Sequence, residues 1–242
     1  MNIVCFALVQ HYGVMAEVAS RPREHRRASY HHGDLSNALT DAATEMARAG
    51  GPDAVVLRAA ARQAGVSAAA AYRHFADHGE LLQAVRQRAL DALAAAMRAR
   101  LDSGDPLPDP ARESLRRFRA LGVAYLDFAL RDPGLFRTAF CRPGKPIPDA
   151  GTALSAHGPY ALLGSVLDEM VDRGVLDPGR RSGAEIAVWA AVHGLATLLL
   201  DGPLASLADG DRARAISRLS DFALDGLTGT ARSGPLKRSR CG

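Results

Sequence analysis

Apolar residues recur along this chain every three to four positions, in segments that proline and glycine interrupt. Leu115, Phe118, Leu121, Tyr125 and Phe128, for example, fall on one face of a single helix. The same periodicity predicts further helices near residues 35–48, 78–101, 153–173, 183–200 and 211–227. No segment of the C-terminal half shows a convincing strand pattern. The sequence therefore predicts an all-α fold of about nine helices, with an N-terminal three-helix domain and a C-terminal helical domain.

Residues 55–75, VVLRAAARQAGVSAAAAYRHF, have the spacing of a helix-turn-helix unit. Ala61 is small enough for two helices to cross, and Gly65, four residues later, can adopt the left-handed conformation at the turn. Ser67 can cap the second helix, because its hydroxyl can accept a hydrogen bond from an unpaired backbone N–H. The alanine-rich run that follows favours a slim helix that fits a major groove. The sequence predicts a DNA-binding domain over residues 30–80.

Polar side chains follow this recognition helix at positions from which they can reach phosphate oxygens. Residues 21–32 also carry four arginines against one glutamate, and such an arm can lie along phosphates or in a minor groove. For the helix-turn-helix, the alternative is an ordinary helical hairpin with a solvated Arg/His face. For residues 21–32, the alternative is a solvated tail. The candidate DNA-binding residues are Arg26, Arg27, Arg58, Ser67, Ala68, Ala70, Ala71, Tyr72, Arg73, His74 and His78.

Two segments resemble one protein family. Residues 30–85 resemble the DNA-binding domain of TetR-type transcriptional regulators, and residues 189–196, WAAVHGLA, resemble the Trp-x-x-x-His-Gly signature of one branch of their C-terminal domains. The chain departs from the family pattern at Ala71, where a larger apolar residue is usual, and at Val56, where Thr or Ser is usual. The resemblance implies a homodimeric regulator, most often a repressor that a small-molecule effector releases from a palindromic operator.

Trp189, His193 and Thr197 recur at four-residue intervals on one face of a mostly apolar helix. A lone histidine there is ordinarily a hydrogen-bonded core residue, and the alternative is a polar group that orients an apolar ligand. The aromatic residues of this half are more often core than pocket wall. The family encloses an effector cavity between helices of this domain, so the resemblance raises the odds that they line a pocket. The candidate ligand-binding residues are Phe118, Tyr125, Phe128, Phe136, Tyr160, Leu163, Trp189 and His193.

The predicted domain organisation has four parts. Residues 1–29 are a flexible basic arm, residues 81–228 an effector-binding and dimerisation domain that follows the DNA-binding domain, and residues 229–242 a disordered basic tail. Residues 78–101 form the helix that links the two domains. The last two large helices are expected to form the dimer interface, as a four-helix bundle across a two-fold axis.

Composition narrows the classes of function. A net charge of +4 agrees with a polyanionic partner, although charge alone does not establish DNA binding. Three widely spaced cysteines offer neither a disulfide framework nor a zinc knuckle, which favours a reducing cytoplasm. No apolar run is long enough for a membrane span, and the first twenty residues lack the basic start of a signal peptide.

Enzymatic readings find little support in the sequence. No glycine-rich phosphate loop, His-Glu-x-x-His motif or nucleophile elbow is present, and no cofactor or metal is expected. The leading hypothesis is therefore a ligand-responsive DNA-binding regulator. A ligandless architectural DNA-binding protein is the alternative, and an all-α enzyme is the third hypothesis.

Overall fold

The computed structural model describes residues 32–141 and 158–229, and these ranges contain nine α-helices, two short 3₁₀ turns and no strand. The predicted all-α fold is confirmed. The helices are α1 His32–Gly50, α2 Leu57–Gln63, α3 Ala68–Tyr72, α4 His78–Leu101, α5 Pro110–Arg131, α6 Pro133–Phe140, α7 Pro159–Asp172, α8 Ala184–Leu200 and α9 Asp209–Thr228. The predicted basic arm, and the predicted C-terminal tail beyond residue 229, lie outside the described residues.

The helix-turn-helix unit has the local structure that its sequence predicts. Gly65 adopts a left-handed conformation, with φ of 71°, between α2 and α3. Ser67 precedes α3, and its Oγ accepts a hydrogen bond from the backbone N–H of Ala70 at 3.1 Å. Ala61 is 1% exposed, as expected for a small residue at a helix crossing. These short-range interactions set the turn between the two helices.

The long helix α4 links the N-terminal helices to the C-terminal domain. Asp77 caps it by accepting a hydrogen bond from the Glu80 N–H at 3.0 Å, and Glu80 in turn accepts one from the Ala76 N–H at 2.7 Å. Its buried face contacts α1 on one side and α5 and α6 on the other. The predicted domain boundary at residues 80 and 81 falls inside this helix, so one continuous core joins the two halves.

A partly buried ion pair fixes the start of α5. The Glu113 carboxylate accepts hydrogen bonds from Arg116 Nη2 at 2.6 Å and Nε at 2.8 Å, and from the Leu107 N–H at 3.0 Å. Arg116 also donates to the Ser103 carbonyl at 3.2 Å. The pair therefore holds the Pro-rich connection between α4 and α5 against the helix. The hydrogen bonds from Arg116 lower the pKa of Glu113 to about 2.

This ion pair predicts an acid-sensitive contribution to stability. A carboxyl group with a lowered pKa stabilises the fold above its unfolded pKa of about 4.3, and the contribution is lost as the pH falls towards 2. Glu113→Gln should lower the melting temperature by about 2–6 °C at pH 7. Its difference from the wild type should shrink steadily between pH 5 and pH 2.

Thermal melts of both proteins across that pH range measure the effect. Glu45→Gln is the matched control, because the Glu45 side chain is 62% exposed and lies 3.7 Å from its arginine partner. The control should melt within about 1 °C of the wild type at pH 7. A Glu113→Gln deficit that does not change with pH would contradict the assignment.

Candidate DNA interface and effector cavity

The helix-turn-helix presents a surface of small and cationic side chains to solvent. Ser67, Ala68 and Arg73 are exposed and Tyr72 is 45% exposed, whereas Ala70 and His74 are half-buried. Arg58 is exposed on the preceding helix α2. Within the described ranges, no carboxylate forms an ion pair with either arginine. Both guanidinium groups can therefore bind phosphate oxygens without first breaking an internal contact.

Two predicted DNA contacts have a different environment from the others. Ala71 is fully buried, in the same core as Ala60 and Phe75, so its prediction as a DNA contact is wrong. Its small side chain lets the short recognition helix pack closely on its neighbours. His78 is exposed, but its Nε2 lies 2.9 Å from the carbonyl oxygen of Val55, which holds the ring where α2 and α4 begin. Arg26 and Arg27 lie outside the described residues.

An apolar cavity lies in the C-terminal half, between α4, α5, α7, α8 and α9. The space between its side chains is about 530 Å³ when the part open to solvent is included. The volume available to the centre of a water-sized molecule is only about 40 Å³, so the cavity is narrow. Among the described residues, no charged side chain lines it. Its walls are formed by Met97, Phe118, Leu121, Gly122, Tyr125, Leu126, Leu163, Val188, Trp189, Ala191, Val192, Leu219, Ser220 and Ala223.

The structure divides the eight predicted ligand-binding residues into two groups. Phe118, Tyr125, Leu163 and Trp189 form part of the cavity wall. The other four do not line it, but three of them contact Tyr125 or Trp189 of the wall. These are Phe136, Tyr160 and His193, whereas Phe128 is a buried core residue on α5.

Tyr125 and His193 form the polar centre of an aromatic cluster beside the cavity. The Tyr125 hydroxyl lies 2.7 Å from His193 Nδ1. Burial raises the pKa of Tyr125 far above its ordinary value and lowers the pKa of His193. A protonated phenol next to a neutral imidazole is therefore favoured at pH 7, with the phenol donating to Nδ1. The ring centroids of Phe136, Phe140 and Trp189 lie within 6.1 Å of the Tyr125 centroid.

Helix α6 connects this aromatic cluster to the N-terminal helices. Phe136 and Phe140 contact the His193 ring, with centroid distances of 5.5 and 4.7 Å. At the other end of the same helix, a Cβ added to Gly134 would overlap the carbonyl oxygens at the end of α1. Arg48 of α1 forms an ion pair with Asp132, which immediately precedes α6. A single two-turn helix thus touches both the aromatic cluster and the DNA-binding domain.

The last two helices leave large apolar side chains in solvent. Helix α8 is apolar on nearly every face, yet Ile186 is 67% and Leu198 is 42% exposed. On α9, Phe222 is 72% exposed. A helix that is apolar all round is normally buried on all sides. This face was expected to bind a second copy, but sequence reasoning did not single out Phe222. The signal was a phenylalanine directly after the polar pair Ser220 and Asp221.

Other features bear on the class of function. Of the described helices, none combines the length and apolar character that a membrane crossing requires. Among the side chains at residues 35–141 and 158–229, no three histidine, cysteine or acidic groups come together as metal ligands would. Neither finding identifies a further site.

Comparison with known proteins gives consistent results for the two halves of the chain. Residues 39–85 match the model of bacterial regulatory proteins of the tetR family, and residues 118–222 match the model of a tetracyclin repressor-like C-terminal domain. Together the two models cover more than half of the chain. No match was found among curated proteins.

Solved structures show the same fold. A protein of unknown function from Rhodococcus sp. RHA1 is 29% identical, with a TM-score of 0.66 over 83% of this chain and 99% of that one. RolR in complex with its ligand resorcinol is 17% identical, with a TM-score of 0.57 over 81% of this chain and 88% of that one. A structure on the control of antibiotic production by bacterial hormones is 18% identical, with a TM-score of 0.55 over 79% and 96%.

Proposed function

Because the chain belongs to the TetR family of bacterial transcriptional regulators, we propose that it is a repressor that a small-molecule effector releases from a palindromic operator. Membership in this family makes it a DNA-binding regulator and not an enzyme. The observation that carries the proposal is the apolar cavity, whose aromatic wall is connected through α6 to the helices that hold the recognition helix. Binding to chromosomal DNA would place the protein in the cytoplasm.

The DNA-bound form is a homodimer in this proposal. The exposed apolar face of α8 and α9 supports it, because a second copy would bury that face in a four-helix bundle. Two recognition helices related by a two-fold axis then read two half-sites, about 34 Å or a small multiple of this distance apart. Arg58 and Arg73, which form no ion pair within the described ranges, would bind phosphates, so affinity should fall steeply as salt rises.

The cavity supports an uncharged and largely apolar effector. A buried charge without a partner costs several kcal/mol, and none of the described residues in the wall carries a charge that could pair with one. The Tyr125 and Ser220 hydroxyls and the Trp189 indole N–H are polar groups in the wall that could orient a ligand. Resorcinol, the ligand of RolR, is an uncharged aromatic compound of this class. Because the free space is narrow, a ligand of that size must move the surrounding helices apart.

That movement is how the effector would act on DNA. A ligand shifts a conformational equilibrium only through its different affinities for the two shapes, and a ligand that needs a wider cavity has such a difference. A tenfold loss of operator affinity requires about 1.4 kcal/mol of coupling. The α6 contacts give the wider cavity a direct route to α1.

The test begins with selection of duplexes by the full chain from a randomised pool, followed by footprinting and titration at several salt concentrations. A two-fold symmetric footprint and steep salt dependence are expected. Uncharged aromatic compounds, beginning with resorcinol, are then titrated against the fluorescence of Trp189, the sole tryptophan of the chain. Compounds that change this fluorescence should release the duplex. Weak sequence preference without any responding compound would favour the ligandless architectural alternative.

Removing the polar centre of the aromatic cluster should weaken the effector response. Tyr125→Phe deletes the hydroxyl that contacts His193 and keeps the ring, whereas His193→Ala also removes ring contacts with Phe136 and Phe140. We expect about a tenfold weaker response to the most effective compound for each variant, with operator affinity in its absence near that of the wild type. Fluorescence titration and operator release measure the two quantities.

The melting temperature separates this role from a purely structural one. If His193 served only the core, His193→Ala would melt lower, while the folded protein would keep the wild-type effector constant. Thr197→Ala is the matched control on the same helix, since Thr197 is exposed and donates only to the carbonyl of its own helix at 3.0 Å. It should leave the response unchanged.

A further inference from the structure

We propose that the recognition helix identifies thymine in the operator through the 5-methyl group of that base. The inference rests on the proposed function, because it concerns what the same DNA-facing helix reads. The site itself is given by the helix-turn-helix and the family, and the new element is the chemistry of its base recognition.

The first three residues of α3 offer no hydrogen-bonding side chain. Ala68 and Ala69 are exposed and Ala70 is half-buried, so methyl groups alone project from these three successive positions. The Ser67 hydroxyl oxygen is already engaged with the Ala70 N–H at 3.1 Å. The first larger side chain, Tyr72, comes only at the end of the helix. A major groove that receives the start of this helix would therefore meet an apolar surface.

Base pairs differ in what they present to such a surface. Guanine, adenine and cytosine present hydrogen-bond donors and acceptors at their major-groove edges, and these are identified by Arg, Lys, Asn, Gln, Asp or Glu. None of these residue types stands between positions 67 and 71. Thymine alone adds an apolar group, its 5-methyl. An alanine pressed against an amino group would leave that donor without a partner, which is costly once water is excluded.

The exposed arginines of the unit are expected to bind phosphates, and phosphate contacts carry no base information. Arg58 and Arg73 have no acidic partner among the described residues, and phosphate contacts of this kind fix the orientation of the protein and not the sequence. The small side chains of α3 also let its backbone approach the groove closely. Preference at the base pairs beneath α3 is therefore expected to come from contacts between methyl groups.

Replacing thymine by uracil in the selected duplex tests this directly. The exchange removes one methyl group and keeps every Watson–Crick hydrogen bond and every phosphate. We expect each half-site to hold a constant thymine and its replacement to weaken binding about fourfold, or about fifteenfold when both half-sites are changed. A 5-methylcytosine at the same position restores the methyl group and should recover affinity relative to unmodified cytosine. Thymines outside the footprint serve as the control on the DNA.

Variants of the protein locate the contact. Ala68→Ser and Ala69→Ser, tested singly, keep the helix and replace a methyl group by a hydroxymethyl group. For the variant at the contacting position, replacing thymine by uracil should weaken binding less than twofold. Ala95→Ser is the matched control, because Ala95 is exposed in the middle of α4. For this control, replacing thymine by uracil should still weaken binding about fourfold.

Two results would overturn the inference and leave the regulator proposal intact. One is a set of selected half-sites without a constant thymine, and the other is a uracil effect below twofold in the wild type. A chain that selects no duplex at all would overturn both proposals.

Discussion

Phe222→Asp should convert the protein to a monomer and weaken operator binding at least about 100-fold. Phe222 is 72% exposed on α9, and α8 also leaves Ile186 and Leu198 exposed. A carboxylate at the centre of the proposed four-helix interface would be buried without a partner, which opposes association. Each monomer would then hold one half-site only, and the loss of the second attachment removes a gain of about 10²–10⁴ in affinity.

Sedimentation and operator titration measure the two effects. Because the side chain is exposed within one chain, the variant should keep the helical content and the cavity of the wild type. Leu107→Asp is the matched control, since Leu107 is 42% exposed but lies in the connection between α4 and α5. The control should remain dimeric. A dimeric Phe222→Asp protein with wild-type affinity would show that another face forms the dimer.

Gly134→Ala should destabilise the protein and uncouple the cavity from the DNA-binding domain. The added methyl group would overlap the backbone carbonyl oxygens of Ala47 and Arg48, and a backbone cannot rotate away as a side chain can. Overpacking of this kind costs about 1–3 kcal/mol, which corresponds to a melting temperature about 2–10 °C lower in a chain of this size. The α1 and α6 helices must separate to accommodate it.

Loss of coupling between compound binding and DNA release distinguishes this variant from one that is only less stable. At a temperature where it is fully folded, Gly134→Ala should bind the most effective compound of the fluorescence panel near normally, yet release DNA less than the wild type does. Gly164→Ala on α7 is the control, because its added Cβ would meet its nearest neighbour, Glu185 Oε1, at an ordinary 3.5 Å. Normal release by Gly134→Ala would exclude α6 as the route.

Local signals explain why the helices and the turn could be predicted. A cap such as Ser67 or Asp77, the left-handed Gly65 and the prolines at helix starts act through neighbours a few residues away. The apolar periodicity likewise reports which face of each helix is covered. For this reason α4 was predicted with the bounds that it has, and α8 and α9 to within two residues at each end.

The ligand-binding prediction depended on contacts between distant segments and was less complete. Of the eight predicted residues, four line the cavity, because an aromatic side chain looks the same in sequence whether it faces a space or the helix behind it. Ala71 was assigned to the DNA surface for a similar reason. It is one of four consecutive alanines, and only packing decides which of them is covered.

By itself, then, the sequence determined the all-α fold, the helix-turn-helix and the family, since each depends on interactions over a few positions along the chain. The tertiary structure decided that Gly134 contacts α1, that Ser220 reaches the cavity and that Phe222 stays in solvent. Those three outcomes depend on the angles at which helices cross. Crossing angles follow from the packing of all faces together, and no single segment of sequence specifies them.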